Sequence, residues 1–242
     1  MKPFPVIIGL VYFLCWAQSR TVNELPVPRG YSRISYPSGS YSTWITRLPL
    51  KADKSIKAYD GSLVENIGYN VFGVVDLPLL YRQDLEQCAD FAFRLWADYH
   101  LKNNLLDRLY LFDYEGNKSY FKSSGKSYSA FLKWTMAHAN SHSIKKGCII
   151  ATEIDLMPGD MVVQNEAGGI GHVSIIMDVC ESPEKKRLYL FGFSFMPAQE
   201  FHIEYAPTGY GKEGWYSLEG YYRYLSHYLD LGRPVLRRFG KQ

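Results

Sequence analysis

The chain has 242 residues, with 27 lysines and arginines against 24 aspartates and glutamates, so its formal net charge is only +3. This near-neutral balance argues against a nucleic-acid binder, because such proteins depend on many phosphate contacts. Hydrophobic residues make up 47% and charged residues 21% of the chain, which is ordinary globular composition.

The first nineteen residues differ from the rest of the chain. Lys2 is their only charge, an apolar run occupies positions 6–16, and Ala17-Gln18-Ser19 has the small-x-small pattern that signal peptidase recognises. The run is shorter than the roughly 20 apolar residues of a membrane-spanning helix. Residues 1–19 are therefore predicted to be a cleaved signal peptide, with a short membrane anchor or a buried first helix as alternatives. A signal peptide implies an exported protein, periplasmic or extracellular, with no membrane span after cleavage.

Residues 20–242 contain no linker that would divide them, so a single domain is predicted. Three cysteines remain there, and an odd number in an exported protein leaves at least one thiol unpaired. Cys148 and Cys180 both lie beside predicted strand ends and could pair, which would leave Cys88 as the lone thiol.

The first third of this domain mixes helical and extended patterns. Apolar residues recur at helical spacing over residues 40–48, where Pro49 ends the predicted helix. Residues 56–59, followed by Asp60-Gly61, are typical of a strand that leads into a turn. Residues 69–75 form a second candidate strand.

The clearest helix follows. Asp84, with Gln87 three residues later, resembles a capping box, which predicts that the helix starts there. Asp90, Arg94 and Asp98 fall on the face opposite the apolar stripe, at a spacing that allows pairing. A second helix is predicted over residues 127–139. The stripe that defines the first of these helices consists of Leu85, Cys88, Ala89, Ala92, Leu95, Trp96 and Tyr99.

In the last third of the chain, the hydrophobic pattern changes from helical spacing to the alternation that is typical of strands. Residues 160–164, 172–179 and 187–195 alternate and are separated by short turns, which predicts an antiparallel meander. Helices followed by a meander predict an α+β domain. In the second strand, Val173, Ile175, Met177 and Val179 are predicted to share one face, opposite a face with His172, Ser174, Ile176 and Asp178.

The arrangement Pro158-Gly159-Asp160 followed by Gly171-His172-Val173 resembles the central hairpin of the secreted NlpC/P60 and CHAP cysteine peptidases and amidases. In those enzymes a cysteine on a helix precedes the hairpin, and the histidine on the strand is its base. The order of Cys88 and His172 agrees with that pattern. The resemblance implies a papain-like plan, in which the helix packs on the meander.

The chemistry implied is nucleophilic acyl transfer to a thiol. Cys88 would attack, His172 would take the proton, and Ser194 or Gln199 would orient the imidazole ring. Gln87 or backbone N–H groups would stabilise the oxyanion. If Asp84 caps the helix, however, the N–H of Cys88 is already used within it. An inert, buried structural thiol is therefore the alternative for Cys88.

A second resemblance covers nearly all of residues 20–242. Five segments carry it in order: residues 40–50, Tyr59-Asp60-Gly61, residues 87–90 with Arg94-Leu95, Gly171-His172 and residues 194–199. Together they resemble an uncharacterised bacterial secreted family, domain of unknown function 4846. This resemblance implies an exported protein with no assigned activity. In that family a glutamine usually stands where this chain has Phe193, so a polar partner of the histidine would be missing here.

Other patterns leave further possibilities open. His138 and His142 are spaced to hold a metal, but no third ligand is evident, so neither a metal nor another cofactor is predicted. The aromatic residues near the C-terminus could stack on a sugar or complete the core. A non-catalytic module that binds cell-wall peptide, glycan or a protein partner is the alternative to the hydrolase. A transglutaminase-like relative is a third option, because residues 87–92 resemble that helix. The aromatic residues are Tyr205, Tyr210, Trp215, Tyr216, Tyr221 and Tyr222.

Overall fold

The structure is a computed structural model that describes residues 20–65 and 68–240. The predicted signal peptide, residues 1–19, lies outside the described residues. Within them the chain forms six α-helices and twelve β-strands, and all paired strands run antiparallel. The prediction of an α+β fold is confirmed.

Polar caps determine where several helices begin. The hydroxyl groups of Ser40, Ser127 and Ser217 each accept a hydrogen bond from the backbone N–H three residues later, which satisfies a donor that the helix leaves free. The predicted helices over 40–48 and 127–139 are thereby confirmed with slightly tighter bounds. The helices are α1 (Tyr41–Thr46), α2 (Cys88–Lys102), α3 (Phe121–Ser124), α4 (Tyr128–His138), α5 (Ser141–Gly147) and α6 (Leu218–Tyr228), with 3-10 turns at Val22–Glu24, Leu106–Arg108 and Glu153–Asp155.

The strands form one large sheet and one small hairpin. They are β1 (Ser32–Arg33), β2 (Val71–Val74), β3 (Tyr110–Phe112), β4 (Lys118–Tyr120), β5 (Ile149–Ile150), β6 (Met161–Gln164), β7 (His172–Glu181), β8 (Arg187–Phe193), β9 (His202–Glu204), β10 (Gly211–Lys212), β11 (Trp215–Tyr216) and β12 (Val235–Arg238).

The large sheet has the order β10-β11-β8-β7-β6-β12-β5, with β9 also pairing with β8, β2 with β9, and β1 with β7. The hairpin consists of β3 and β4. The predicted meander is therefore present as β6, β7 and β8, with Val163 opposite Val173 and Ile175 opposite Gly192. Because β7 lies in the middle of the sheet, other parts of the chain pack against both of its faces.

One face of the sheet packs against α2, α4 and α1, and the other against α6. Val173, Ile175 and Met177 belong to the first core, together with Phe91 and Leu95 of α2. The second core joins residues of β7 and β8 to aromatic side chains of α6, namely Ile176, Val179, Tyr189, Phe191, Tyr221 and Tyr224.

One residue of β7 lies on the face opposite to the predicted one. The alternation placed Val179 with Val173, but Val179 packs in the α6-side core. The pairing of β7 with β8 shifts register between Ile176 and Asp178. Such a bulge inserts one residue and exchanges the two faces beyond it.

Of the other predicted strands, one is absent and one is shorter than predicted. Residues 56–59 form no strand, and only isolated bridges link Lys57 to Leu63 and Ala58 to Gln199. The third strand of the meander, β8, ends at Phe193 instead of residue 195, because the chain leaves the sheet there. Residues 69–75 do contain a strand, β2, as predicted.

The suggested pairing of Cys148 with Cys180 is wrong. Both are free thiols, as is Cys88, and all three are buried. Cys180 lies on β7, whereas Cys148 directly precedes β5, which is three strands away in the sheet. At about 4.8 Å per strand this separation is roughly twice the 7 Å limit between bonded cysteine Cα atoms.

The C-terminal aromatic residues divide between core and surface. Tyr216 and Tyr221 are completely buried and Tyr224 nearly so, and all three close the core under α6. Trp215 is also completely buried, but it belongs to the core on the α2 side. Tyr205, in contrast, is exposed. Among the described helices, none combines the length and the hydrophobicity needed to cross a membrane.

Candidate active site at the start of helix α2

The second helix begins three residues later than the sequence predicted. Gln87 has an extended backbone and is the N-cap, and its N–H donates to Asp90 Oδ2 at 3.0 Å. Asp84, the predicted cap, instead accepts hydrogen bonds from the Ala198 N–H at 2.7 Å and the Gln87 side chain at 2.9 Å. Cys88 is therefore the first helical residue of α2. Because the first four N–H groups of a helix have no partner within it, the expected loss of the Cys88 N–H to the helix was wrong.

A buried ion pair holds this end of α2 in place. Arg94 Nη1 lies 2.5 Å from Glu86 Oε1, and Arg94 Nε lies 3.3 Å from Asp98 Oδ2. The other oxygen of Glu86 accepts the Leu80 N–H at 2.8 Å. The predicted pairing of Arg94 with Asp98 is confirmed. The face that carries Asp90 and Arg94 is itself buried, as is Glu86.

Cys88 lies in the wall of a cleft with a volume of about 490 Å³. The cleft is bounded by the start of α2, the connection between α4 and α5, and the glycine-rich turn that precedes β7. Apolar and polar groups share its surface, which is typical of a site for a small ligand or a chain segment. Its polar side chains come from Asp84, Gln87, Asp90, Asn140 and Ser141.

The glycine-rich turn is held by side chains from several elements. Asn165 Oδ1 accepts the Gly168 N–H at 2.7 Å, and Asn165 Nδ2 donates to the Gly169 carbonyl at 2.9 Å. The hydroxyl of Tyr114 donates to the Gly168 carbonyl at 3.0 Å. A Cβ at Gly171 would overlap the carbonyl oxygen of Gln164, so only glycine fits at that position.

The sulfur of Cys88 lies at the mouth of β7. Its Sγ is 3.9 Å from the carbonyl oxygen of Gly171, the residue directly before His172. The side chain is only 7% exposed. Burial raises the pKa of the Cys88 thiol to about 11, and the nearby Val173 N–H offsets only part of this effect. The thiol is therefore neutral at pH 7 in this conformation.

His172 is the first residue of β7 and is completely buried. Its ring centroid lies 5.1 Å from that of Phe193, edge to face, and 5.7 Å from that of Phe195. Among the described residues, neither ring nitrogen has a hydrogen-bond partner. Burial, with a smaller contribution from nearby His202, lowers the pKa of His172 to about 3, so the imidazole is neutral.

The structure thus brings together some of the predicted site residues but not all. The Cys88 sulfur lies beside the start of β7, where His172 is the first residue, but no hydrogen bond joins the thiol to the ring. Ser194 donates to the Gln199 carbonyl at 2.7 Å, and the Gln199 amide donates to the Tyr69 hydroxyl at 3.0 Å. Neither residue orients His172, because each is engaged elsewhere at the end of β8.

Two buried ionisable residues near His172 were not among the predicted site residues. His202 and Glu204 lie on β9, both fully buried, with His202 Nε2 and Glu204 Oε2 3.4 Å apart. Phe193 separates this pair from His172, since its ring centroid is 4.5 Å from that of His202. The i, i+2 spacing of His202 and Glu204 in an alternating segment is the signal that could have indicated them.

The two spaced histidines do not form a metal site. His138 ends α4 and stacks on Trp134, whereas His142 lies in α5 and stacks on Tyr114. In the described part of the chain, no group of three or more histidine, cysteine, aspartate or glutamate side chains is arranged to hold a metal ion.

Comparison with known protein families gives one match. The family described as domain of unknown function (4846) matches residues 22–123 and 112–228, which together span most of the chain. The chain belongs to this family. The matched region of this family member includes Cys88, His172, His202 and Glu204. No curated protein and no solved structure matches the chain.

Proposed function

We propose that this member of the 4846 family is an exported cysteine-dependent amidase or peptidase built on a papain-like plan. One observation carries the proposal: Cys88 is the first residue of a 15-residue helix, lies in a cleft wall, and reaches the strand end that bears His172. A helix start places partial positive charge and free N–H groups beside the sulfur, where a thiolate and an oxyanion would form.

The reaction would proceed by acyl transfer. The sulfur of Cys88 attacks the carbonyl carbon of an amide as His172 accepts the thiol proton, and the carbonyl oxygen becomes an oxyanion. His172 then passes the proton to the leaving nitrogen as the C–N bond breaks, which leaves a thioester on Cys88. Water, deprotonated by His172, hydrolyses the thioester, and the proton returns to sulfur.

The resting state of this pair is neutral. Burial raises the pKa of Cys88 to about 11 and lowers the pKa of His172 to about 3, so proton transfer between them is unfavourable before substrate binds. Proton transfer must therefore be coupled to attack on the carbonyl. The imidazole ring must also turn, since neither ring nitrogen has a hydrogen-bond partner among the described residues.

The residues that line the cleft favour a neutral or amine-bearing substrate. Asp84 and Asp90 contribute carboxyl groups, and the described lining contains no lysine or arginine that would pair with a substrate carboxylate. An amide of cell-wall peptide, presented away from its carboxylates, fits this chemistry. Asp90 adds little charge, because burial raises the pKa of its carboxyl well above the usual range.

A second function, non-catalytic binding of peptide or glycan in the same cleft, is favoured by one observation. Phe193 contacts His172 where a polar side chain would orient the ring. Without such a partner, the imidazole has no group to fix its tautomer or to stabilise its charged form. The cleft and its polar groups would then bind a ligand without cleaving it.

Alkylation of the thiol separates the two functions. Residues 20–242 would be treated with iodoacetamide, and labelling of Cys88 followed by mass spectrometry of the peptide that contains it. The hydrolase predicts that Cys88 reacts at least tenfold faster in the wild type than in His172→Gln. Cys148, which is buried and remote from His172, serves as the internal control in both proteins.

Equal, slow labelling of Cys88 in both proteins would contradict the hydrolase and favour the binding module. Phe193→Gln offers a matched gain-of-function variant, because its amide would lie beside the His172 ring. If the protein is a hydrolase, we expect iodoacetamide to label Cys88 faster in this variant than in the wild type. An unchanged labelling rate would count against a role for the orientation of the His172 ring.

A further inference from the structure

A second cavity is lined partly by α6 and shares Phe195 with the cleft that contains Cys88. Its volume is about 180 Å³, which is below the roughly 300–1,000 Å³ of a typical pocket for a drug-sized ligand. The cavity therefore suits a small group only. Five of its lining residues are aromatic, and this set is called the aromatic box: Tyr69, Phe193, Phe195, Tyr224 and Tyr228.

The walls of the aromatic box stand at angles to one another. The ring planes of Tyr69 and Phe193 make an angle of 70° with centroids 6.0 Å apart, and those of Tyr224 and Tyr228 make 41° with centroids 4.8 Å apart. Rings in this arrangement surround a space instead of stacking into a closed layer. Tyr228 is 54% exposed, so the box is open to solvent on that side.

The ring faces are not used by the protein's own cations. Several lysines and arginines lie over aromatic rings elsewhere, for example Lys118 over Tyr110 and Arg223 over Tyr210. Within the described residues, no such contact involves a ring of the aromatic box. Phe193 and Tyr224 also contact other rings, but none of the five rings is engaged by a lysine or arginine of the described residues, so a cation that enters the cavity meets no competing charge on them.

A buried glutamate is linked to the aromatic box through one of its rings. Glu204 Oε1 accepts a hydrogen bond from the hydroxyl of Tyr224 at 3.2 Å, and also the Asn70 N–H at 2.8 Å. No lysine or arginine in the described part of the chain lies within salt-bridge distance of Glu204, and His202 Nε2 is 3.4 Å from its Oε2. An acidic group linked to the wall of an aromatic cavity increases its attraction for positive charge.

We propose that the aromatic box is a binding site for a small alkylammonium cation. The rings supply cation–π attraction, the volume limits the ligand to a compact group, and Glu204 supplies charge complementarity. A neutral group of the same shape would gain only the apolar part of this interaction. The ligand could be a quaternary ammonium or the primary ammonium of an alkylamine, which share this chemistry.

The test is calorimetric titration of residues 20–242 with choline and with its neutral isostere, 3,3-dimethylbutan-1-ol. We expect choline to bind in the millimolar range and the isostere to bind at least tenfold more weakly. Tetramethylammonium and n-butylammonium show whether the site prefers a quaternary or a primary ammonium. If either cation binds more tightly than the isostere, the result supports the site. Equal binding of choline and the isostere, or binding of neither, would overturn it.

Variants of one exposed ring and of the buried glutamate locate the site. Tyr228→Leu removes an exposed ring and is expected to weaken choline binding at least fivefold. Tyr120→Leu, which removes a similarly exposed ring on β4, is the matched control and should bind choline as the wild type does. Unchanged affinity in Tyr228→Leu would place the ligand elsewhere and contradict the proposal. Glu204→Gln, if folded by circular dichroism, should weaken choline more than the isostere.

Discussion

Two buried polar groups on either side of Cys88, the Glu86–Arg94 pair and His172, differ in whether their hydrogen bonds are satisfied. On the α2 side, both oxygens of Glu86 are engaged and the Arg94 guanidinium pairs with two carboxylates. On the β7 side, His172 is equally buried, yet neither of its nitrogens has a partner among the described residues. The same small region thus contains a satisfied ion pair and an unsatisfied imidazole.

This difference separates structural roles from functional ones. Burying a polar group costs free energy unless hydrogen bonds replace those lost to water. The Glu86–Arg94 pair meets that condition and fixes where α2 begins, which positions Cys88. His172 does not meet it, and each such exception calls for an explanation. A substrate or a coupled proton transfer in the cleft is the explanation that the proposed hydrolase offers.

The largest effect in this comparison is expected from breaking the ion pair. Arg94→Leu leaves the Glu86 carboxylate buried without its partner, so the free energy of unfolding should fall by about 3–5 kcal/mol. Urea denaturation measures this. Lys122→Ala removes the exposed pair with Asp107 and should cause no measurable change. A loss of less than about 1 kcal/mol for Arg94→Leu would mean that the pair does not hold the helix start.

A smaller effect is expected in the turn that leads to His172. In Gly171→Ala the new methyl group overlaps the Gln164 carbonyl, and we expect the free energy of unfolding to fall by about 2 kcal/mol. Gly169→Ala is the matched control from the same turn, because a Cβ there meets no atom within 4 Å. Equal stability of the two variants in urea denaturation would contradict the tight packing described at the mouth of β7.

The smallest expected effect is the contribution of His172 to the pH dependence of stability. Its folded pKa of about 3 lies below its ordinary value of 6.5, so the unfolded chain binds this proton more strongly. Stability should therefore fall as the pH drops below 6.5 and continue to fall towards pH 3. Between pH 7.5 and 5.5 the contribution is about 1.4 kcal/mol.

The matching measurement is urea unfolding of the wild type, His172→Gln and His138→Gln at both pH values. His172→Gln should lose about 1.4 kcal/mol less than the wild type between them, whatever its stability at pH 7.5. His138 is exposed, and its variant should follow the wild type. If His172→Gln lost as much unfolding free energy as the wild type between the two pH values, the imidazole would have to be charged or hydrated in the folded protein.

The sequence by itself determined the pieces whose signals are local. The period of apolar residues predicted α2 and α4, and the alternation with short turns predicted the meander of β6, β7 and β8. The five family segments indicated the family that the match over residues 22–228 establishes. These features depend on residues a few positions apart, so a pattern in the chain is sufficient to predict them.

Only the tertiary structure decided the surroundings of the candidate site. Asp84 does not cap α2, because its carboxylate is engaged by the Ala198 N–H, 114 residues away. His172 meets Phe193 and His202 because three strands place them on one face. Cys148 cannot reach Cys180 because two other strands lie between theirs. Hydrogen bonds, burial and strand order join residues that are distant in the chain, so no local pattern contains them.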